Sequence, residues 1–293
     1  MRIVRRSTLV FLLVISALTG LALAVIGASL WPQGVWLGLA APVVVLGWGL
    51  RKSLTRLRAS RKPFPEAHRA WLHRHVPFYH HLDDEGRARF ERDVRLFIAD
   101  QTFEAVDGVQ ITDQLLLEVA AGAALMLHGR PDWAFSTNRS FLFYPDHFDE
   151  DYYDTREAHY EGMVHAQGPV ILSVKAMEMG WAAPADGNNV VLHELAHLLD
   201  YDNNFADGVP SLMDPASAAA WIKLVHREMH RVKTGRSLLR RYAATNPAEF
   251  FAVAVENFFE RPHRLARRHP KLFEALMAFF NLDPRTPEPE PQP

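Results

Sequence analysis

Two long runs without a single charge restrict what this chain can fold into more than any other feature of it. Thr8 to Leu30 carries no Asp, Glu, Lys or Arg, nor does Trp31 to Leu50, and Pro32-Gln33-Gly34 lies between them as a turn. Each run is close to the ~20 apolar residues with which an α-helix crosses a bilayer. A helix that is apolar all round has no polar face to offer water, so it must be covered by protein or by lipid. The two runs are therefore expected to form a transmembrane helical hairpin, with spans at 8–30 and 31–50. A cleaved signal peptide is the alternative for the first run, but that run is longer than a signal core and a second follows almost at once. A third arrangement has one span and one surface-lying segment. Trp31, Trp36 and Trp48 suit the membrane interface.

Charge divides the chain at the same place. Residues 1–62 hold nine basic and no acidic residues, so they carry +9, while the remainder carries −11 within a total of −2. The basic stretch 51–62 is suited to anionic lipid headgroups. The acidity of the rest argues against nucleic acid as a partner. Arg2, Arg5 and Arg6 precede the first run, Arg51 to Lys62 follow the second, and the loop between them has no Lys or Arg. Under the positive-inside rule both flanks stay in the cytoplasm. The expectation is a bacterial inner-membrane protein whose soluble domain faces the cytosol, organised as an anchor (1–62), one soluble domain (63–283) and a disordered Pro-rich tail (284–293). With no Cys in its 293 residues, the chain must rest on its hydrophobic core.

Past Pro63-Phe64-Pro65, Asp83 to Asp100 reads as an amphipathic helix with Phe90, Val94 and Phe97 inward, and Thr112 to His128 as a largely buried one. Phe103 to Val106, Asp107-Gly108 and Val109 to Ile111 read as a β-hairpin. Val170 to Val174 reads as a short strand just ahead of the segment that carries the chemistry.

That segment is Asn188 to Asp200, which contains His193-Glu194-Leu195-Ala196-His197. It has no Pro, and Val191, Leu195, Leu198 and Leu199 recur at helical spacing, so an apolar stripe can bury it. Residues four apart share a helix face, so His193 and His197 can grip one metal while Glu194, a step round, serves as base toward a metal-activated water. Asp200 is placed to fix the tautomer of a ligand imidazole, or simply to end the helix. A catalytic zinc usually takes three protein ligands. Asn246 as N-cap and Pro247 at the first helical position announce a second helix, with Phe250, Ala254 and Phe258 on its apolar face. Glu249 falls in its first turn, where it can ligate a metal or close a capping box with Asn246. Glu256, two turns on, is the rival ligand.

Other histidines offer less. His226 and His230 are four apart but sit among charged residues, which reads as a solvated helix face. His68, His73, His75, His80 and His81 show no regular ligand spacing and read as surface or linker residues. There is no Gly-rich phosphate loop, no serine-nucleophile motif and, without Cys, no zinc ribbon.

The stretches Phe143-Tyr144-Pro145, Gln167 to Leu172, His193 to Asp200, Gly208-Val209-Pro210 and Asn246 to Val253 occur in the same order as in the Mlc titration factor A (MtfA) family of zinc peptidases, which the chain resembles over about residues 75–280. The Tyr242-to-Glu249 segment is also similar to that of the anthrax lethal factor catalytic domain, a distant relative. The resemblance implies a zincin-like, predominantly α, α+β metallopeptidase domain of gluzincin type. It implies one zinc ion held by His193, His197 and Glu249, with Glu194 as general base and Tyr242 as the phenol that stabilises the oxyanion. It also implies an edge strand, in the place of Val170 to Val174, that holds an extended peptide or protein substrate. Because the family's named member binds the glucose repressor Mlc, a second reading is a regulatory binding protein that sequesters a transcription factor. The apolar hairpin is a departure from that soluble member. A third reading, a purely structural zinc site, calls for four protein ligands.

Overall fold

The first apolar run folds as helix α1 (Arg6–Leu30), and a single 3-10 turn at Pro32–Trp36 leads into α2 (Leu37–Arg61). The second helix thus begins at Leu37 rather than Trp31, because reversing the chain consumes the residues around Pro32 and Gly34. It then runs without a break into the basic stretch, with Arg58 and Arg61 in its last turn, where cations complement the helix dipole. The computed structural model describes residues 1, 6–135, 139–146, 162–164, 168–200, 207–210 and 212–285. Its contacts separate Met1–Pro63 from Phe64–Pro293. Arg2, Arg5, Gln167 and the tail from 286 lie outside the described residues.

Within the first unit, α1 and α2 meet through small residues. A Cβ on Gly27 would strike the Gly34 backbone, and one on Gly38 would strike Ala24. Such positions let helix backbones approach closely, the packing mode of helices that have no hydrophobic drive to associate. The large side chains point the other way: Phe11, Leu21, Val25, Val43, Val44 and Trp48 are 63–72% exposed. Both helices are long and apolar enough to cross a membrane.

The second unit is predominantly helical around a small sheet. It opens with α3 (Glu66–His75), α4 (Pro77–His80) and α5 (Asp84–Asp100). The α5 helix starts where Asp83 accepts the Gly86 N–H at 2.8 Å, and Phe90, Val94 and Phe97 are fully buried as their spacing requires. Strand β1 (Thr102–Ala105) and helix α6 (Asp113–Leu127) follow, with Thr112 accepting the Leu115 N–H at 3.2 Å. The expected hairpin is not formed. Its turn is present, since Asp107 and Gly108 both take positive φ (52° and 80°) and the Val109 N–H reaches the Val106 carbonyl at 3.1 Å. Val109 to Ile111 nevertheless does not return as a strand. Only three residues separate the turn from the Thr112 cap, and β1 pairs instead in parallel with β2 (Ser140–Tyr144), Thr102 opposite Ser140.

Strands β3 (Gly162–Val164) and β4 (Val170–Ser173) complete a sheet of order β1-β2-β4-β3, in which β3 alone is antiparallel to its neighbour. The strand that was expected to present an edge to substrate, β4, is therefore interior. Among the described residues the free edges belong to β1 and β3. The β2 and β4 strands interleave buried Phe141, Phe143, Val170 and Leu172 in the core.

Helix α7 (Val174–Ala182) leads to α8 (Val190–Asp200), which is buried along its whole length. Gly122 of α6 faces it so closely that a Cβ there would press on Val191 and Leu195. The remaining helices are α9 (Pro215–Lys233), α10 (Pro247–Glu260), α11 (Pro262–Arg268) and α12 (Pro270–Phe280). Phe250, Phe251 and Phe258 of α10 are fully buried, and Phe258 stacks on Phe280 of α12 with ring centroids 5.6 Å apart. Each such burial contributes roughly 1.5–3 kcal/mol, which makes α10 a rigid partner for α8.

Candidate metal centre

The α8 helix begins at Asn189, whose carbonyl accepts the His193 N–H at 2.9 Å while its side chain accepts the Leu192 N–H at 3.2 Å. The backbone N–H groups just ahead are held by α10. Glu260 accepts from Gly187 and Asn188 at 2.8 and 3.1 Å, and Glu256 accepts from Asn189 at 2.8 Å. Two carboxylates one helical turn apart on α10 thereby satisfy the orphan donors at the start of α8 and sit at its positive dipole end. Gly187 permits the approach: it takes φ +78°, and a side chain there would strike Asn257 and Arg261. Burial pushes the Glu260 carboxyl up to about 8, against the hydrogen bond from Asn189 and with the help of neighbouring Glu256.

His193 and His197 project from one face of α8, and their Nε2 atoms are 3.2 Å apart. The α10 helix brings Glu249 to the same point. Asn246 caps this helix by accepting the Glu249 N–H at 2.9 Å, and the Glu249 side chain places Oε2 3.0 Å from His193 Nε2 and 3.4 Å from His197 Nε2. The carboxylate is thus directed at the two imidazoles. Among the described residues this is the one group of three or more His, Asp, Glu or Cys whose donor atoms could hold an ion, and those atoms lie within 4.8 Å of one another.

Glu256 lies on the far side of the same ring. Its Oε1 accepts from His193 Nδ1 at 2.7 Å, and both its oxygens accept from the Arg240 guanidinium, at 2.7 and 2.8 Å. Arg240 Nη2 is also 3.4 Å from Nδ1, where two N–H groups converge on one carboxylate. Glu256 therefore holds a proton on Nδ1 and orients the ring with Nε2 turned toward Glu249. Burial opposes ionisation of both glutamates, yet the bonds to His193, with Arg240 at Glu256 and His197 at Glu249, hold both carboxyls below their usual range. Burial likewise opposes charge on His193, and the hydrogen bonds it donates to Glu249 and Glu256 override it to hold the imidazole up at about 10. The cluster favours a positive charge at its centre.

Glu194 is 3% exposed, and its Oε2 has no hydrogen-bond partner among the described residues. Burial pushes its carboxyl up, with His193 and His197 pulling the other way. An orphaned buried carboxylate oxygen costs stability unless it serves another purpose. Tyr242 stands on the 3-10 turn Arg241–Ala244, 43% exposed, with its ring 6.0 Å from that of His193. Asp200 accepts the Gly208 N–H at 3.0 Å, tying the end of α8 to the following loop, and burial pushes it up to about 6.

The other histidines are placed elsewhere. His226 and His230 are exposed on α9. Glu228 between them turns inward to His269 Nδ1 at 2.6 Å and to Arg231 at 3.0 Å. Near the start of the domain, His75 stacks on Trp71 and meets the Trp181 carbonyl at 2.8 Å, and His73 and His80 pair at 3.3 Å. Arg240 and Glu260 went unnoticed in the sequence. Glu260 had a readable signal, since Glu249, Glu256 and Glu260 are spaced to share one face of a helix; Arg240, in an irregular loop, had none.

Two imidazoles from a His-Glu-x-x-His helix, completed by a glutamate from a second helix, are the donor arrangement of a metallopeptidase. The family model described as glucose-regulated metallo-peptidase M90 matches residues 50–281, and the chain belongs to this family, the one that includes Mlc titration factor A. An uncharacterized protein of Synechocystis sp. is 29% identical over 275 residues, covering 86% of this chain and 98% of its own length. Mlc titration factor A of Klebsiella pneumoniae is 30% identical over 226 residues, covering 71% of this chain and 84% of its own. That of Escherichia fergusonii reaches 36% over 131 residues, 42% of this chain and 48% of its own.

Proposed function

We propose that this protein is a membrane-anchored zinc peptidase that hydrolyses peptide bonds in the cytosol. The observation that carries the reading is the convergence of His193 Nε2, His197 Nε2 and a Glu249 oxygen next to buried Glu194, whose Oε2 has no hydrogen-bond partner among the described residues. Two nitrogens and one carboxylate oxygen fit a borderline cation such as zinc, and three protein ligands leave a position open for chemistry. When bound, zinc lowers the pKa of water to about 7 and polarises a carbonyl. Glu194 takes the proton from the attacking water and passes it to the leaving amine. Tyr242, 43% exposed with its ring 6.0 Å from that of His193, donates its phenol hydrogen to the oxyanion, a contribution worth about 2.7–4 kcal/mol in other enzymes. The extended substrate backbone is assigned to the edge of β3 rather than to β4. A peptide-library cleavage screen on the purified full chain tests the reading. Cleavage is expected to stop on removal of metal by a chelator and to return with added zinc, and cleavage indifferent to chelation would refute it.

The anchor is assigned to 1–62, the catalytic domain to 63–283 and a Pro-rich tail to 284–293. The length and apolar surfaces of α1 and α2 support two spans in the bacterial inner membrane, in contact with lipid. The basic residues flanking them support a cytosolic domain. Alkaline phosphatase and green fluorescent protein fused after Pro293 in a bacterial host should give fluorescence and little phosphatase activity; the opposite pattern would put the domain outside. A second reading, a regulatory protein that binds a transcription factor, draws on the name of the relatives, which describes those proteins as titrating Mlc.

A further inference from the structure

We propose that Arg240 is a positioning residue that locks His193 and the turn bearing Tyr242 into one unit. The inference rests on the reading of His193, His197 and Glu249 as metal ligands. Arg240 lies outside the helices, two residues before Tyr242, and its guanidinium makes contacts in three directions. It forms a two-pronged pair with Glu256 at 2.7 and 2.8 Å, and a fork of this kind fixes orientation as well as charge. It donates to the Gly187 carbonyl at 3.2 Å, at the start of the loop that launches α8. Its charged carbon lies 5.9 Å from the centre of the Tyr242 ring, within the range of a cation–π contact.

Glu256 has no exposed surface, so its orientation is set by what it bonds. Three donors meet its two oxygens: the Asn189 N–H, His193 Nδ1 and the Arg240 fork. Removal of the fork leaves a buried carboxylate that the imidazole and one backbone N–H must satisfy alone, and the ring it orients loses its fixed plane. The same removal frees the 3-10 turn that holds the Tyr242 phenol near the His193 ring. One side chain therefore sets the register between a metal ligand and the oxyanion donor, two groups that come from separate elements. A Lys here would supply the charge but not the fork.

The experiment uses the full chain in detergent with four variants, Arg240→Ala, Arg240→Lys, Glu256→Gln and the Arg240→Ala/Glu256→Gln pair, and with Arg241→Ala as an exposed control. Zinc affinity is read by competition with a chromophoric chelator, and peptide cleavage is measured separately at saturating zinc. Arg240→Ala and Glu256→Gln should each weaken zinc binding by about 10–100-fold, the usual range for residues that orient a ligand, and the pair should be no worse than either alone. At saturating zinc Arg240→Ala should lower kcat about tenfold or more with KM little changed, because the Tyr242 turn is loosened. Arg240→Lys should recover part of the zinc affinity and little of kcat. An Arg240→Ala protein with zinc affinity and kcat within twofold of the parent would overturn the proposal, as would losses that simply multiply in the pair. If Arg240→Ala does not fold, Arg240→Lys with parental zinc affinity and kcat would overturn it equally. Failure of the peptidase reading itself would look different: the parent chain would then bind no zinc at this site or cleave nothing.

Discussion

Exchange of Glu194 for Gln is expected to leave zinc bound and to lower peptide hydrolysis by at least the ~10²–10⁴-fold that a general base contributes. Gln keeps the shape of the side chain, so α8 stays packed and both imidazoles keep their places. What is lost is the group that accepts a proton. The unpartnered Oε2 of Glu194 makes a second readout available. In the parent, burial and the lack of a partner for this oxygen among the described residues make the carboxylate a local cost. The variant should therefore unfold at the same denaturant concentration as the parent or at a higher one, although it is inactive. Zinc content by atomic absorption, cleavage rate and the urea midpoint, taken on one preparation, separate these effects. Hydrolysis at the parental rate would remove Glu194 from the mechanism, and loss of zinc would move it into the ligand set.

Exchange of Glu249 for Gln should weaken zinc binding by more than the ~10–100-fold expected of an orienting residue, because it removes the one anionic donor directed at both imidazoles. The fold should survive. The α10 cap depends on the Glu249 backbone N–H and the Asn246 side chain, which the exchange does not touch. The comparison with Glu256→Gln is informative, since the two glutamates address opposite nitrogens of the same ring. Chelator competition should rank Glu249→Gln as the weaker binder. The reverse order would make Glu256 the ligand and Glu249 the residue that orients it.

Much of what lies near each residue in the chain was readable before the structure. The four-residue spacing of His193 and His197, within a run of apolar residues at helical period, required a helix with both imidazoles on one face. Asn246 and Pro247 specified where α10 starts, since a side-chain cap and a fixed φ act within a single turn. Thr112 and Asp83 did the same for α6 and α5. The charge-free runs required long apolar helices in the same way, by composition alone. Where the Pro32–Gly34 reversal falls was harder to place, and α2 starts six residues later than its composition indicated.

Long-range pairing was not readable. Asp107-Gly108 made its turn as local stereochemistry demands, but what β1 pairs with was decided 35 or more residues away, where β2 supplies a parallel partner. The same limit applied to β4, whose apolar residues mark a strand without saying that β3 would cover its outer side. Glu249 and Glu256, seven apart on α10, present the same chemistry to the same face. Only the packing of α10 against α8 directs one toward Nε2 and the other toward Nδ1 of His193. Arg240 leaves no periodic trace at all, because its partners are a loop carbonyl, a carboxylate sixteen residues on and a ring two residues away. By itself the sequence determined the two apolar helices, those at 83–100, 112–128 and 188–200, the Asn246 cap of α10 and the candidate donors, since those depend on interactions within a turn or two. The tertiary structure alone decided which nitrogen meets which carboxylate, because that depends on how two buried helices meet.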